Sequence, residues 1–171
     1  PVRFSFTPVL MTSSPAGTLG IDFGTSNSAM AWLGPQGSAR LIPLEGEALA
    51  MPTAVFYFSE GRHDADGPPR AFGRGAVKAY VDGHEGRLMR SMKSILGSPL
   101  IEQTTDVGGG RGAKYSDIVA GYLKRLRSTA LASGAPGPLN KLVLGRPVFF
   151  VDGEPARGHA CRTHPADRHA A

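Results

Sequence analysis

The chain has 171 residues, 41% of them hydrophobic, with 23 Gly and 14 Pro, which allows one domain with a core and many loops. No apolar run is long enough to cross a bilayer as a helix, and the first residues lack the basic-then-apolar pattern of a secretory signal. A single cysteine, Cys161, excludes an internal disulfide, and a net charge of +5 scattered along the chain does not by itself argue for nucleic acid.

Residues 1–18 carry no pattern and are expected as a disordered leader, although Met11 followed by "TSSPAG" would serve equally as a second start. Residues 19–23 and 28–33 read as two strands around a polar turn. Residues 39–44, "ARLIPL", suggest a third strand, with Pro43 near its end or on an edge. "TAVFYF", 53–58, has the β-branched and aromatic content of a fourth. "GRHDADGPPR" is a loop by composition. "AFGRGAVKAYVDG" predicts a short strand and then a helix from near Gly75. In "RLMRSMKSILG", 87–97, apolar residues at 88, 89, 92, 95 and 96 predict a helical stripe closed by Gly97. Residues 98–114 read as a loop.

The clearest helix follows. Tyr115, Ile118, Val119, Tyr122, Leu123 and Leu126 share one face, with Lys124, Arg125 and Arg127 off its centre. Ser116 or Asp117 is expected to cap its start and Gly134 to close its end. "KLVLGRPVFFV", 141–151, predicts a buried strand interrupted at 145–147. Past Val151 there is no apolar periodicity, and no internal repeat is visible.

The turn after the first strand holds more polar groups than a hairpin requires. Asp22 ends the strand, and Gly24, Thr25, Ser26 and Asn27 follow. Converging backbone N–H groups make a concave anion site. Gly24 would let a phosphate approach without meeting a β-carbon. The hydroxyls and amide of Thr25, Ser26 and Asn27 would add donors, and Asp22 would hold a hydrated Mg²⁺ bridging the same phosphates. A hairpin with a merely polar loop fits the same residues.

At this point the sequence resembles a known family. "LGIDFGTSNSAMA" closely resembles the first phosphate motif of the 70-kDa heat-shock chaperone (Hsp70) family, within the actin-like ATPase superfamily. "MPTAVFYF", "AFGRGAVKAYVDG", "RSMKSILGS" and "LVLGRPVFFVDGE" resemble later family segments in the family's order, and together they cover residues 19–154. The Gly-Arg-Pro variant in the last looks most like the YegD-type branch of chaperone-like proteins.

The resemblance implies a ribonuclease-H-like α/β fold: the first lobe of an actin-like ATPase, a mixed sheet with helices, spanning 19–152 and incomplete. It implies ATP and Mg²⁺ as cofactors. Asp22 would orient Mg²⁺ through water, and Gly24, Thr25, Ser26 and Asn27 would touch the β- and γ-phosphates. Ser26 stands where the family commonly has Thr, which keeps both the N–H and the hydroxyl. Lys93 matches the family's catalytic lysine, whose charge near the γ-phosphate would assist phosphoryl transfer. Pro147 matches a proline that relays nucleotide state to a partner domain; a kink ending the strand is the alternative. ATP and ADP are the implied partners, with unfolded clients or co-chaperones only in a full-length parent. The expected location is the cytoplasm, with neither nucleic acid nor membrane as partner. The family hydrolyses ATP, but a chain with one lobe is expected to bind it weakly and to expose unpaired sheet edges. Two other classes remain open: a non-catalytic remnant or interaction module, and a fragment of an actin-fold small-molecule kinase.

Two further signals are set aside. "DVGGGRG", 106–112, resembles the family's second phosphate motif but precedes the "GRPVFF" strand and lacks an apolar strand before it, so a flexible loop is expected. His159, Cys161, His164 and His169 fit no zinc spacing. The Ala-Arg-His-Pro bias of 153–171 reads as a disordered tail translated out of frame from GC-rich DNA. Sequencing the gene tests this. A family-like continuation one base away is the expected result, and its absence from both alternative frames would exclude the idea.

Overall fold

The structure is a computed structural model that describes residues 17–34, 36–61, 67–133, 139–145, 149–151 and 154–155. Strands β1 (Gly17–Phe23) and β2 (Asn27–Leu33) form an antiparallel hairpin. Gly17 and Thr18, without pattern in the sequence, are already strand residues. Strands β3 (Ala39–Leu41) and β4 (Ala50–Pro52) both pair with β2, and β10 (Leu139–Gly145) lies parallel to β1. The result is a mixed five-stranded sheet with β10 on one edge.

After β4 the chain leaves this sheet within one residue. Strand β5 (Ala54–Phe58) becomes the centre of a second, antiparallel sheet, between β6 (Arg70–Phe72) and β7 (Gly86–Arg90). Helix α1 (Gly73–Val81) packs on one face of β5, where Ala54 and Phe56 meet Ala76 and Ala79. Val55 and Tyr57 point the other way, into the main core. The period of two thus lets one strand serve two cores. The N-terminus of α1 has no side-chain cap of its own; Glu45 takes that place, accepting from the Arg74 N–H at 2.8 Å and pairing with the Arg74 guanidinium at 2.5 Å.

Two 3₁₀ turns (Met92–Ile95 and Pro99–Glu102) and a small hairpin, β8 (Thr104–Asp106) and β9 (Gly112–Lys114), lead into α2 (Tyr115–Ala132). The short strands β11 (Phe149–Val151) and β12 (Glu154–Pro155) pair with each other. Helix α2 buries Ile118, Val119, Tyr122, Leu126 and Ala130 in one cluster with Leu19, Ile21, Phe23 and Met30. The same cluster takes in Val55, Tyr57 and Met89 of the second sheet, so the apolar stripe is the face turned to the core the two sheets share.

Three expectations need correction. The stripe at 87–97 is not an α-helix: its first part is strand β7 and its second a 3₁₀ turn. Residues Gly86–Arg90 each pair with β5, and the alternation of Leu88 and Met89 serves the two cores on opposite faces. A long-range partner strand overrides the local helical period. Second, neither Ser116 nor Asp117 caps α2. Lys114 stands at the cap without a side-chain bond, and the Tyr115 N–H is satisfied by the carbonyl of Gln103 at 3.1 Å. Asp117 lies within the first turn, where its charge complements the helix dipole. Third, β10 is not buried. Its successive residues Leu142, Val143 and Leu144 are 49%, 46% and 40% exposed, so both faces of this edge strand are open.

Tyr122 ties the layers together. Its ring lies 5.9 Å from that of Phe23, and its hydroxyl donates to the carbonyl of Pro52 at 2.9 Å. Burial holds its ionisation above the ordinary value of 10.0, against smaller lowering contributions from Ser28 and Thr53. A raised tyrosine pKa contributes stability below the unfolded value that is lost as pH rises past it. Burial raises Tyr57 in the same sense. Tyr122→Phe is expected to cost about 1 kcal/mol near neutrality. Denaturant unfolding followed from neutral pH to above pH 10 should show a smaller alkaline loss in the variant than in the parent.

Candidate functional site

The β1–β2 hairpin places the polar turn at one end of the first sheet. Its last rung is Phe23 opposite Ser28, and Phe23 is buried in the core. Alternation then sends Asp22 to the opposite face, where it is exposed. At Gly24 the turn folds back on itself so closely that a β-carbon would lie 2.1 Å from the carbonyl oxygen of Asn27. Glycine is required there by contact, not by φ. Thr25, Ser26 and Asn27 are all exposed. Among the described residues, the side chains of Asp22, Thr25, Ser26 and Asn27 make no hydrogen bond or ion pair, and the N–H groups of Gly24, Thr25 and Ser26 have no partner.

The back of the turn is held firmly. The Thr53 N–H donates to the carbonyl of Ser26 at 2.9 Å. The buried hydroxyls of Ser28 and Thr53 lie 2.8 Å apart and share a hydrogen bond. The front is a set of free donors with one free carboxylate beside them. Such a surface suits an anion on the donors and a hydrated cation at the carboxylate.

Lys93 belongs to the turn that follows β7. Ser91 adopts the left-handed conformation, with φ 53° and ψ 32°, the one non-glycine residue to do so among the described residues. This costs a non-glycine residue about 1–2 kcal/mol. Its carbonyl takes both the N–H of Ser94 at 3.1 Å and the Ser94 hydroxyl at 2.7 Å, which pins the turn. Met92 anchors it in the core, and Lys93 is half-buried, without an ion pair among the described residues. Strain of this kind gathers where a side chain must be held in one direction. Sequence reasoning missed Ser91, because nothing in a serine announces a positive φ.

The two groups hang from one joint. Thr53 bonds the polar turn on one side, and Ala54 pairs with Arg90 at the end of β7 on the other. Pro147 lies outside the described residues, as do His159, Cys161, His164 and His169. Among the described residues no group of three or more His, Cys, Asp or Glu is arranged to hold a metal. No described helix is long and apolar enough to cross a membrane.

The glycine-rich stretch at 106–112, expected as a loop and not a phosphate motif, is the loop of the β8–β9 hairpin with the strand residues that flank it. Gly108, Gly109 and Gly110 all have positive φ. Asp106 accepts from the Gly108 N–H at 2.8 Å, and the Val107 N–H donates to the carbonyl of Arg111 at 2.8 Å. The Arg111 guanidinium donates to the carbonyls of Phe58 and Gly108. These polar groups satisfy one another.

No family model matches the chain. It is nevertheless similar to several curated chaperones. The chaperone protein DnaK of Thermotoga petrophila is 27% identical over 136 residues, 80% of this chain and 21% of that protein. DnaK of Thermosipho melanesiensis is 27% identical over 146 residues, 84% of this chain and 22% of that protein. DnaK of Thermotoga maritima is 27% identical over 136 residues, again 80% of this chain. The chain is thus a distant relative of an Hsp70-type chaperone, and its mixed α/β architecture is consistent with part of an actin-like ATPase lobe. It spans 21–22% of the length of the curated relatives it matches.

The geometry of the turn sets up a direct test. Gly24→Ala forces a β-carbon onto the Asn27 carbonyl. The expected cost is about 1–3 kcal/mol, the usual range for overpacking. Thermal unfolding measures it, and the amide resonances of residues 24–28 should shift while those of α1 stay in place.

Proposed function

We propose that this chain is the phosphate-clamp part of a YegD-type, Hsp70-like ATPase that works only when joined to the rest of its nucleotide cleft. The observation that carries this reading is the turn around Gly24: among the described residues, three unpartnered N–H groups and an unpaired carboxylate, in a bend where a β-carbon at Gly24 has no space. The distant similarity to DnaK supports it. In this reading Gly24, Thr25, Ser26 and Asn27 donate to the β- and γ-phosphates of ATP. Asp22 is exposed and, among the described residues, without an ion pair, which fits a carboxylate that orients Mg²⁺ through water. Bound Mg²⁺ would supply charge neutralisation on the phosphates. Lys93, held by the strained turn at Ser91, offsets the charge that develops as the γ-phosphoryl group moves to water. Pro147 keeps its relay role only in a longer protein that includes the partner domain.

One clamp is not a nucleotide site. A few N–H bonds to a hydrated triphosphate do not offset its ordering and desolvation. The open strand β10 also fits a surface that further chain covers, since Leu142, Val143 and Leu144 expose both faces of a sheet edge. Hydrolysis, clients and co-chaperones therefore belong to the longer protein, and the cytoplasm is its proposed location.

A titration of the chain with MgATP, followed by ¹⁵N–¹H spectra, tests the reading. Shifts confined to Asp22–Asn27 and the Lys93 turn, with affinity no better than about millimolar, are expected. Lys93→Ala should weaken them further. Unmoved amides at Gly24–Asn27 would overturn the clamp assignment, and micromolar binding by calorimetry would overturn the claim that the rest of the cleft is needed.

A further inference from the structure

Away from the clamp, α2 and β6 enclose a shallow groove that the proposed nucleotide chemistry does not use. Two adjoining hollows of about 390 and 440 Å³ share Arg70, Gly121 and Lys124 and so form one channel. Gly121 leaves the helix side open, because a β-carbon there would meet nothing within 4 Å. Arg70 forms the opposite wall, its guanidinium 5.8 Å from the centre of the Phe72 ring. From α2 the groove receives Lys124, Arg125 and Arg127. These three are exposed and, among the described residues, have no ion pair or hydrogen bond. Among the described residues the one acid lining the groove is Asp117, at the end nearer β9.

We propose that this groove is a docking site for an extended acidic peptide segment of a partner protein. Among the described residues four cations and one carboxylate line a concave channel, which concentrates positive potential. Three of the four are guanidinium groups, whose planar fork matches carboxylates. The spacing fits as well. Lys124 and Arg127 are three apart on the helix and so stand about 5–6 Å from each other. Alternate side chains of an extended strand are separated by about 6.6 Å. From Asp117 to Ser128 the helix rises about 17 Å, the span of about five extended residues. Single-stranded nucleic acid fits less well. It needs free aromatic faces for base stacking, but the Phe72 ring lies between Arg70 and Tyr122.

The test uses the full chain and a fluorescein-labelled peptide Glu-Ser-Glu-Ser-Glu, followed by fluorescence anisotropy at low salt. Saturable binding is expected, weakening as salt rises. The double variant Lys124→Gln/Arg127→Gln should weaken it by about tenfold or more. Arg87→Gln/Lys141→Gln removes the same charge from exposed positions outside the groove and should change it by less than about twofold. A peptide with Gln in place of Glu should not bind. Equal losses in the two double variants would overturn the proposal, as would no binding of the acidic peptide or tighter binding of an oligothymidine. Circular dichroism checks that each variant is folded. The MgATP titration has no bearing on these outcomes, so either proposal can fail without the other.

Discussion

Pro52, Thr53 and Ala54 form the joint on which the molecule depends. Pro52 ends the last strand paired to the first hairpin, and Ala54 begins the centre of the second sheet. A single residue between them must leave one ladder and enter another. Its two donors are both used: the Thr53 N–H goes to Ser26, and its hydroxyl shares a hydrogen bond with Ser28. The Pro52 carbonyl, turned out of the ladder, is taken by Tyr122 from the helix above. A buried backbone group without a partner would cost about 1–3 kcal/mol. These three bonds in one place tie the two sheets and α2 to one another.

That joint explains why the polar turn can be rigid and open together. A loop that must offer free donors cannot stabilise itself through them. Here the restraint comes from behind, through Ser26 and Ser28, while Gly24, Thr25 and Asn27 keep their front free. The Lys93 turn follows the same logic. Met92 in the core and the Ser94 bonds to Ser91 carry the strain, and the lysine itself is left without a partner among the described residues. The glycine-rich loop at 106–112 makes the contrast. Its groups bond to each other, which leaves a structural hairpin and little chemistry.

Helix α2 has two roles that its apolar stripe and its charges divide. One face carries Ile118, Tyr122 and Leu126 into the core. The flank carries Lys124, Arg125 and Arg127, which look like an ordinary solvated edge until β6 brings Arg70 opposite them. Lysines and arginines scattered through a sequence say little about potential, because potential depends on which of them the fold gathers around a concave surface.

The first hairpin and the core face of α2 were legible in the residues alone, because each is a local period of two or 3.6, and the strand at 53–58 was legible from its β-branched and aromatic content. The candidate clamp was legible for a similar reason: Asp22, Gly24, Thr25, Ser26 and Asn27 are neighbours in the chain. What needed the tertiary structure were the features made by distant partners. The stretch at 87–97 fits a helical period, yet its first part becomes strand β7 because β5 offers it a ladder, and its second part a 3₁₀ turn. The Tyr115 N–H is met by Gln103 and not by a local cap, and β10 stands exposed because, among the described residues, only β1 pairs with it. The strain at Ser91 and the basic groove also depend on contacts across the fold. Local pattern decides which elements can form, and long-range pairing decides which of two permitted forms a segment takes and what its free side chains face.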